Sequence, residues 1–394
     1  MSSPNDIQGQ YRGTRGELFP LAIGVALLTL VTFGIYRFWG KTRIRKYIWS
    51  STVGDGDAFE YTGTGLEKFL GFLVAIVALA IYLGIVQMLL FFAGLNYSFD
   101  PDTPQGMLAL TGILYLNIFA LVPLVFYAMY RARRYKMART RWRGVRFGME
   151  KGAWGFSARS IGYGLLTVLT LGALFPLANF KLEKYMADRS YFGDARFEQN
   201  GKWTALYGAA KHLFIGLAVL VGGVAIGGAS QSESLMGIAG AVGYIWLMVG
   251  FVYYRVHAFR YMAANRTLGG EITFTATPTT GEVIKIYIIG TLVMGAVIAV
   301  FAAIGGALFA AMMSMAPMGN IGLVGVFAVV LYVIVLVLLG AMALVFITQP
   351  TIAHFITTFT VHNADALNDI RQRASETGVD AEGFADALDI GGAI

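Results

Sequence analysis

The stretch IGVALLTLVTFG, residues 23–34, returns 138 residues later as IGYGLLTVLTLG, residues 161–172, without a gap. The register holds beyond the apolar run. Lys46/Lys184, Tyr47/Tyr185, Phe59/Phe197, Glu60/Glu198 and Gly63/Gly201 match, and 12 of the 41 columns from 23 to 63 are identical. Shared hydrophobicity alone does not hold register through the polar segment that follows. The two stretches therefore read as an internal repeat, an organisation common among transporters.

The rest of the chain explains what is repeated. Of 394 residues, 57% are hydrophobic and 13% charged, against about one quarter charged in a soluble domain. Lys and Arg avoid three stretches, 69–130, 212–254 and 286–370. Each is long enough for two membrane helices of about 20 residues and a turn. Each holds a polar or turn-forming break: NYSFDPDTPQG at 96–106, SQSES at 230–234 and MSMAPMGN at 313–320. Because Lys and Arg are retained on the cytoplasmic side, these breaks are expected to face away from it.

Two further apolar runs, 18–39 and 160–178, have basic flanks at both ends: Arg12 and Arg15 before the first, Arg37, Lys41, Arg43, Arg45 and Lys46 after it. An eight-span alternation would expose some of these clusters outside. The expectation is an all-α polytopic membrane protein of six spans in three hairpins. Two re-entrant or interfacial helices return to their own side, and short cytoplasmic strands join the elements; eight spans is the alternative. Unit 1 is then 1–145 (dipping helix 18–39, hairpin 69–130) and unit 2 is 146–275 (dipping helix 160–178, hairpin 205–254). A third hairpin at 276–362 and an acidic cytoplasmic tail at 363–394 complete the chain, with both termini cytoplasmic. The polar first 17 residues give no expectation of a removable leader. Without cysteine there is no disulfide or thiol chemistry.

A shorter phrase links these units: a basic helix end with Tyr, a turn, then Phe on a short strand. It occurs as KYIWSSTVGDGDAFEY, as RYKMARTRWRGVRF (134–147), as KYMADRSYFGDARF (184–197) and as RYMAANRTLGGEITF (260–274), with TIAHFITTFTVHN (351–363) as a degraded fifth. YRGTRGELF (11–19) and YTGTGLEKF (61–69) follow such strands, so Glu17 and Glu67 are expected in the first turn of a helix, near its positive end.

The segment LLTLVTFGIYRFWGKTRIRKYIW, with FEYTGTG after it, resembles the signature of the YjgN-type family of bacterial inner-membrane proteins. Thr32, Gly34, Ile35, Tyr36, Trp39, Lys41, Arg43, Arg45 and Tyr47 carry the resemblance, and Phe38 stands where that family has proline. The resemblance implies a bacterial cytoplasmic membrane location and supplies no catalytic residue, since the family is a domain of unknown function.

The spans contain almost no charge, which argues against a carboxylate-driven pump. No metal-ligand spacing joins His212, His257, His354 and His362, and no nucleotide fingerprint occurs in a suitable context. Neither an enzyme activity nor a cofactor is expected. Thr29/Thr32/Gly34 and Thr167/Thr170/Gly172 are the leading candidates for a substrate pathway, with Asn117 as a polar residue inside a span; the competing reading is local hydrogen bonding and packing. Arg131, Arg133, Arg134, Lys136, Arg139, Arg141, Arg143 and Arg146 form a basic face for anionic lipid headgroups or an anionic solute, or simple retention on the cytoplasmic side. Nucleic acid is not expected so close to a span. The leading expectation is passive or facilitated movement of a small solute or lipid at the two dipping segments. The alternative is a non-transporting scaffold that binds anionic lipid or a partner protein through its basic face.

Overall fold

The computed structural model describes residues 6–95, 99–315 and 321–373. The first elements are β1 (Ile7–Tyr11), α1 (Arg15–Val31), α2 (Arg37–Ser51), β2 (Thr52–Gly54), β3 (Asp57–Tyr61), α3 (Gly65–Phe92) and α4 (Pro104–Ala138). There follow β4 (Thr140–Trp142), β5 (Val145–Met149), α5 (Ala153–Leu169), α6 (Phe175–Ala187), β6 (Ser190–Phe192), β7 (Ala195–Gln199), α7 (Leu206–Ala229) and α8 (Glu233–Ala264). The last are β8 (Arg266–Leu268), β9 (Ile272–Ala276), α9 (Thr280–Met315), α10 (Ile321–Ala343), α11 (Gln349–Thr357) and β10 (Phe359–His362).

Among the described residues six helices are long and apolar enough to cross a membrane: α3, α4, α7, α8, α9 and α10 continuing into α11. The three hairpins are α3–α4, α7–α8 and α9–α10. Parts of two expected turns, 96–98 and 316–320, lie outside the described residues. The helices outrun the charge-free stretches: α4 carries Arg131–Lys136 and α8 carries Arg255 and Arg260 in their C-terminal portions. Long basic side chains at a helix end extend their charge towards water while the stem stays on apolar surface.

The two remaining apolar runs are not single helices. Each breaks into a pair, α1–α2 and α5–α6, around a five-residue turn (32–36 and 170–174). In each pair the second helix runs back along the first. A Cβ on Gly40 would sit 2.2 Å from Val25 Cγ1, so the missing side chain lets α2 approach α1 closely. At the base, Tyr47 Oη donates to the Thr14 carbonyl at 3.0 Å and Tyr185 Oη to that of Gly152 at 3.0 Å.

The chain divides into two compact units, each discontinuous in sequence. One comprises the segments up to Phe59, Tyr207–Asn265 and Thr273–Ala364. Its antiparallel sheet runs β9–β10–β1–β2–β3. Its core packs Leu18 and Ala22 of α1 against Ala341 of α10 and Val345 beyond it. Residues 344–348 form one wide π turn. Pro350 explains it: the ring cannot donate, and it crowds the carbonyl four residues back.

The other unit comprises Glu60–Leu206, Arg266–Ile272 and the segment from Asp365. Its sheet runs β4–β5–β6–β7–β8. Tyr130, Met149, Phe156 and Tyr185 form its buried aromatic core. Displaced by 138, the register of one sheet is that of the other. Gly9↔Gly54, Gln10↔Val53 and Tyr11↔Thr52 become Phe147↔Phe192, Gly148↔Tyr191 and Met149↔Ser190. Val53↔Ala58 becomes Tyr191↔Arg196.

Candidate functional site

Thr32 and Thr170 end α1 and α5 in the same way. Thr32 Oγ1 donates to the Leu28 carbonyl at 2.7 Å and accepts the Tyr36 N–H at 2.9 Å. Thr170 Oγ1 donates to Leu166 O at 2.7 Å and accepts the Leu174 N–H at 3.2 Å. The Gly34 N–H reaches Thr29 O at 2.7 Å and the Phe33 N–H reaches Leu30 O at 3.1 Å; Gly172–Thr167 and Leu171–Val168 repeat this at 2.7 and 3.0 Å. This crossed pair is a Schellman cap, whose left-handed residue is usually glycine. Here it is Phe33 (φ 50°) in one turn and Leu171 (φ 49°) in the other, and the glycines follow at φ 91° and 89°. The threonine hydroxyls are spent on the backbone, and the turns present apolar side chains at their tips.

Asn117 accepts from Gln87 Nε2 and donates to Ile113 O at 2.9 Å, so it joins α3 to α4. Glu17 and Glu67 sit where their phrase predicts. Thr14 and Thr64 cap α1 and α3 by accepting the N–H of those glutamates. Tyr47 donates to Glu17 and Tyr135 to Glu67, at 2.9 and 2.8 Å.

The basic face divides by environment. Arg134 is buried, its Nε donating to Met149 O at 2.8 Å. Arg133 forms a two-pronged pair with Glu183 at 2.8 and 3.0 Å. Arg139 pairs with Glu67 at 3.2 Å. Arg131 donates to Tyr127 Oη at 3.0 Å, and Arg143 lies exposed over Trp142, 4.5 Å from its ring centre. Lys136 and Arg141 are half-buried on α4 and β4. The Arg146 N–H donates to Gln372 Oε1 at 2.8 Å, and Asp194 and Arg371 exchange two hydrogen bonds at 2.9 and 3.0 Å. Thus the first residues of the acidic tail lie along β5–β7; the tail from 374 onward lies outside the described residues.

Sequence reasoning missed two polar constellations. Glu183 also accepts from Arg266 Nη2 at 3.0 Å, and Arg266 Nε donates to the buried Gln199 at 3.0 Å. Burial alone would raise the Glu183 pKa, but Arg133 and Arg266 outweigh it and hold the carboxyl at about 2. The second is an Asp–His–Thr chain: Asp6 lies 3.0 Å from His362 Nδ1, and His362 Nε2 lies 2.7 Å from Thr275 Oγ1. It fastens the start of β1 to β10 and β9. No short-range signal exposes a contact between residues 6 and 362. Among the described residues no three His, Asp or Glu gather as a metal site.

Comparison with known proteins follows the same lines. Inner membrane protein YjgN of Escherichia coli O157:H7 is 28% identical over 147 residues, 36% of this chain and 32% of that protein. Its counterpart in strain K12 is 25% identical over 165 residues, 42% and 36% of the two chains. That of Salmonella typhimurium is 27% identical over 77 residues, 20% of each. The matched stretches span about a third or less of these curated relatives. No solved structure matches. A family described as bacterial protein of unknown function (DUF898) matches residues 6–386. Six apolar helices, the Thr–Gly turns and this match over nearly the whole length lead to one statement: the chain is a multi-pass membrane protein, similar to the YjgN inner membrane proteins, and belongs to the DUF898 family of bacterial proteins.

Proposed function

We propose that this protein moves a small solute or a lipid across or within the bilayer, and that α1–α2 and α5–α6 are copies of one unit that enters the membrane from the cytoplasmic side and returns to it. The tips carry the reading. Phe33 is 98% exposed and Leu171 86%, and each holds a left-handed backbone that costs a non-glycine residue about 1 kcal/mol. Water gives no reason to keep an apolar side chain there. Acyl chains do: burying a Phe or Leu side chain contributes about 2 kcal/mol.

Three observations support the duplication and the return: the common strand register at offset 138, the Tyr47 and Tyr185 ties at the pair bases, and the packing of α1 on α10. The Lys/Arg distribution then assigns both termini and the strands to the cytoplasm. This reading takes 1–145 and 146–275 as the repeated units, with a third hairpin at 276–362; the two compact units cut across that division. It invokes no enzyme chemistry.

The test is flux in reconstituted vesicles, with fluorescent lipid and a panel of small ions and metabolites. Gly34→Leu, Gly172→Leu, Thr32→Val and Thr170→Val are expected to lose flux with normal expression, and matched changes should act alike. Flux that survives all four, or its absence from the unsubstituted protein, sinks the transport reading. It would favour a scaffold that binds anionic lipid through Arg131, Arg141 and Arg143. The local hydrogen bonding of Thr32 and Thr170, which commits their hydroxyl protons to the backbone, is the observation on that side.

A further inference from the structure

We infer that each returning helix carries its own binding stripe for a phosphate-bearing anionic group: Arg43 and Lys46 on α2 and, separately, Lys181 on α6. The inference rests on the reading above that both pairs lie within the membrane. It names the class of ligand they take.

Helix α2 holds Arg37, Lys41, Arg43, Arg45 and Lys46 and no acidic residue. At 3.6 residues per turn, Trp39, Arg43, Lys46 and Ser50 share one face. Arg43, Lys46 and Ser50 are exposed on it, while Phe38, Thr42, Arg45 and Ile48 are buried on the other side. The offset of 138 brings Lys181 and Lys184 of α6 to the positions of Arg43 and Lys46. Lys184 is committed to Asp188 at 2.8 Å. Lys181 is exposed and has no partner among the described residues, nor has Lys46. Arg43 donates only to the Tyr36 hydroxyl, at 3.0 Å.

Depth makes this face unusual. Ile44 packs on the Leu18–Ala22–Ala341–Val345 core, level with the cytoplasmic end of α10. There α9 approaches through Gly290, whose added Cβ would meet Phe346 O at 2.9 Å. Gly290 lies five residues inside Lys285, the last charge on α9, which is about 7 Å along the axis. A cation facing acyl chains at that depth is costly. A phosphate group drawn inwards satisfies it, and the guanidinium fork of Arg43 suits two phosphate oxygens, with lysine as a point charge. Trp39 on the same stripe suits a headgroup boundary. The phosphate can come from an anionic lipid or from a soluble phosphate.

The test is native mass spectrometry of the full chain released from phosphatidylcholine bilayers with and without phosphatidylglycerol. Retention of phosphatidylglycerol should exceed that of phosphatidylcholine by about five-fold, the effect of one or two near-surface cations. Arg43→Gln/Lys46→Gln/Lys181→Gln should bring the two lipids to parity, and Arg43→Lys/Lys46→Arg should keep the preference. A melting curve separates lost binding from lost fold. Inorganic phosphate that displaces phosphatidylglycerol from the unsubstituted chain only would identify a soluble phosphate as a ligand of the same stripe; no displacement identifies the lipid headgroup. Equal retention by the unsubstituted and triple-glutamine chains, with no phosphate effect, overturns the inference. Labelling at Asp55→Cys keeps the two readings apart: cytoplasmic labelling with unchanged lipid retention defeats the stripe alone, and external labelling defeats the dipping pairs themselves.

Discussion

The pairs α1–α2 and α5–α6 share a turn, hydrogen bond for hydrogen bond, yet differ in nearly everything that flanks it. α1 is capped by the Thr14 hydroxyl, whereas Gly152 caps α5 without a side chain. α2 begins Arg37-Phe38 and α6 begins Phe175-Pro176, where proline fits the first turn because its missing N–H would be unpaired anyway. At one matched position α2 buries Arg45 and α6 has Glu183, gripped by two arginines. The turn therefore depends on few residues: a threonine whose hydroxyl closes the last helical bond, and a glycine two places on. Charge at the flanks is free to change sign, provided each unit supplies the counter-charges.

That contrast can be broken at its most polar point. Glu183→Ala leaves Arg133 and Arg266 facing each other without the carboxylate. It should cost about 2 kcal/mol, between the worth of an exposed pair and that of a fully buried one because the three side chains are only half-buried, read by thermal melting in detergent. Because the Glu183 pKa is depressed, its contribution is present above pH 4.5 and is lost as pH falls towards about 2. The base of the other pair responds at the opposite end. Burial pushes the Tyr11 phenol up to about 12, so its contribution is present below pH 10 and is lost as pH rises through about 12. Alanine at position 183 should abolish the acid limb of a pH–melting profile and leave the alkaline limb. Loss of both limbs would contradict the separate roles.

The shared part is sharpened by glycine. A Cβ on Gly34 or Gly172 meets nothing within 4 Å, so Gly→Ala isolates backbone strain of about 1–2 kcal/mol. The two costs should agree within about 0.5 kcal/mol if the sites are independent and alike. A clear inequality would show that the turns are matched in shape and not in energy. Smaller again is the hydroxyl at each base. Tyr47→Phe and Tyr185→Phe should each cost about 1 kcal/mol. Tyr47 should be the larger, since its hydroxyl also receives the Thr14 N–H and meets Glu17, whereas Tyr185 Oη donates to Gly152 O.

Much of this frame was legible in the chain. Charge-free runs mark the three hairpins because hydrocarbon excludes Lys and Arg. The phrase with Tyr and Phe marks helix ends and strands because Tyr reaches the cap of the helix beside it. Its fifth copy looked degraded for a physical reason. His354 takes the place of tyrosine, accepting the Thr279 N–H at 3.0 Å as Tyr47 accepts that of Thr14 at 2.8 Å. Its second strand is β1, from the other end of the chain, where Ile7 pairs with Val361. The Schellman caps were foreshadowed by Gly34 and Gly172, but not the left-handed Phe33 and Leu171, whose conformation no propensity favours. The Arg133–Glu183–Arg266 cluster and the Asp6–His362 contact depend on packing between distant segments, which one sequence does not display.

Membrane sidedness decides between a returning pair and a full span. The chain has no cysteine, so single cysteines at Asp55, Asp194, Thr103 and Ser232 can be probed one at a time in intact spheroplasts and inverted vesicles with an impermeant maleimide. Positions 55 and 194 should label from the cytoplasmic side alone, and 103 and 232 from the outside alone. Labelling of 55 or 194 from outside, with the N-terminus remaining cytoplasmic, would contradict the returning pair and make that segment a full span.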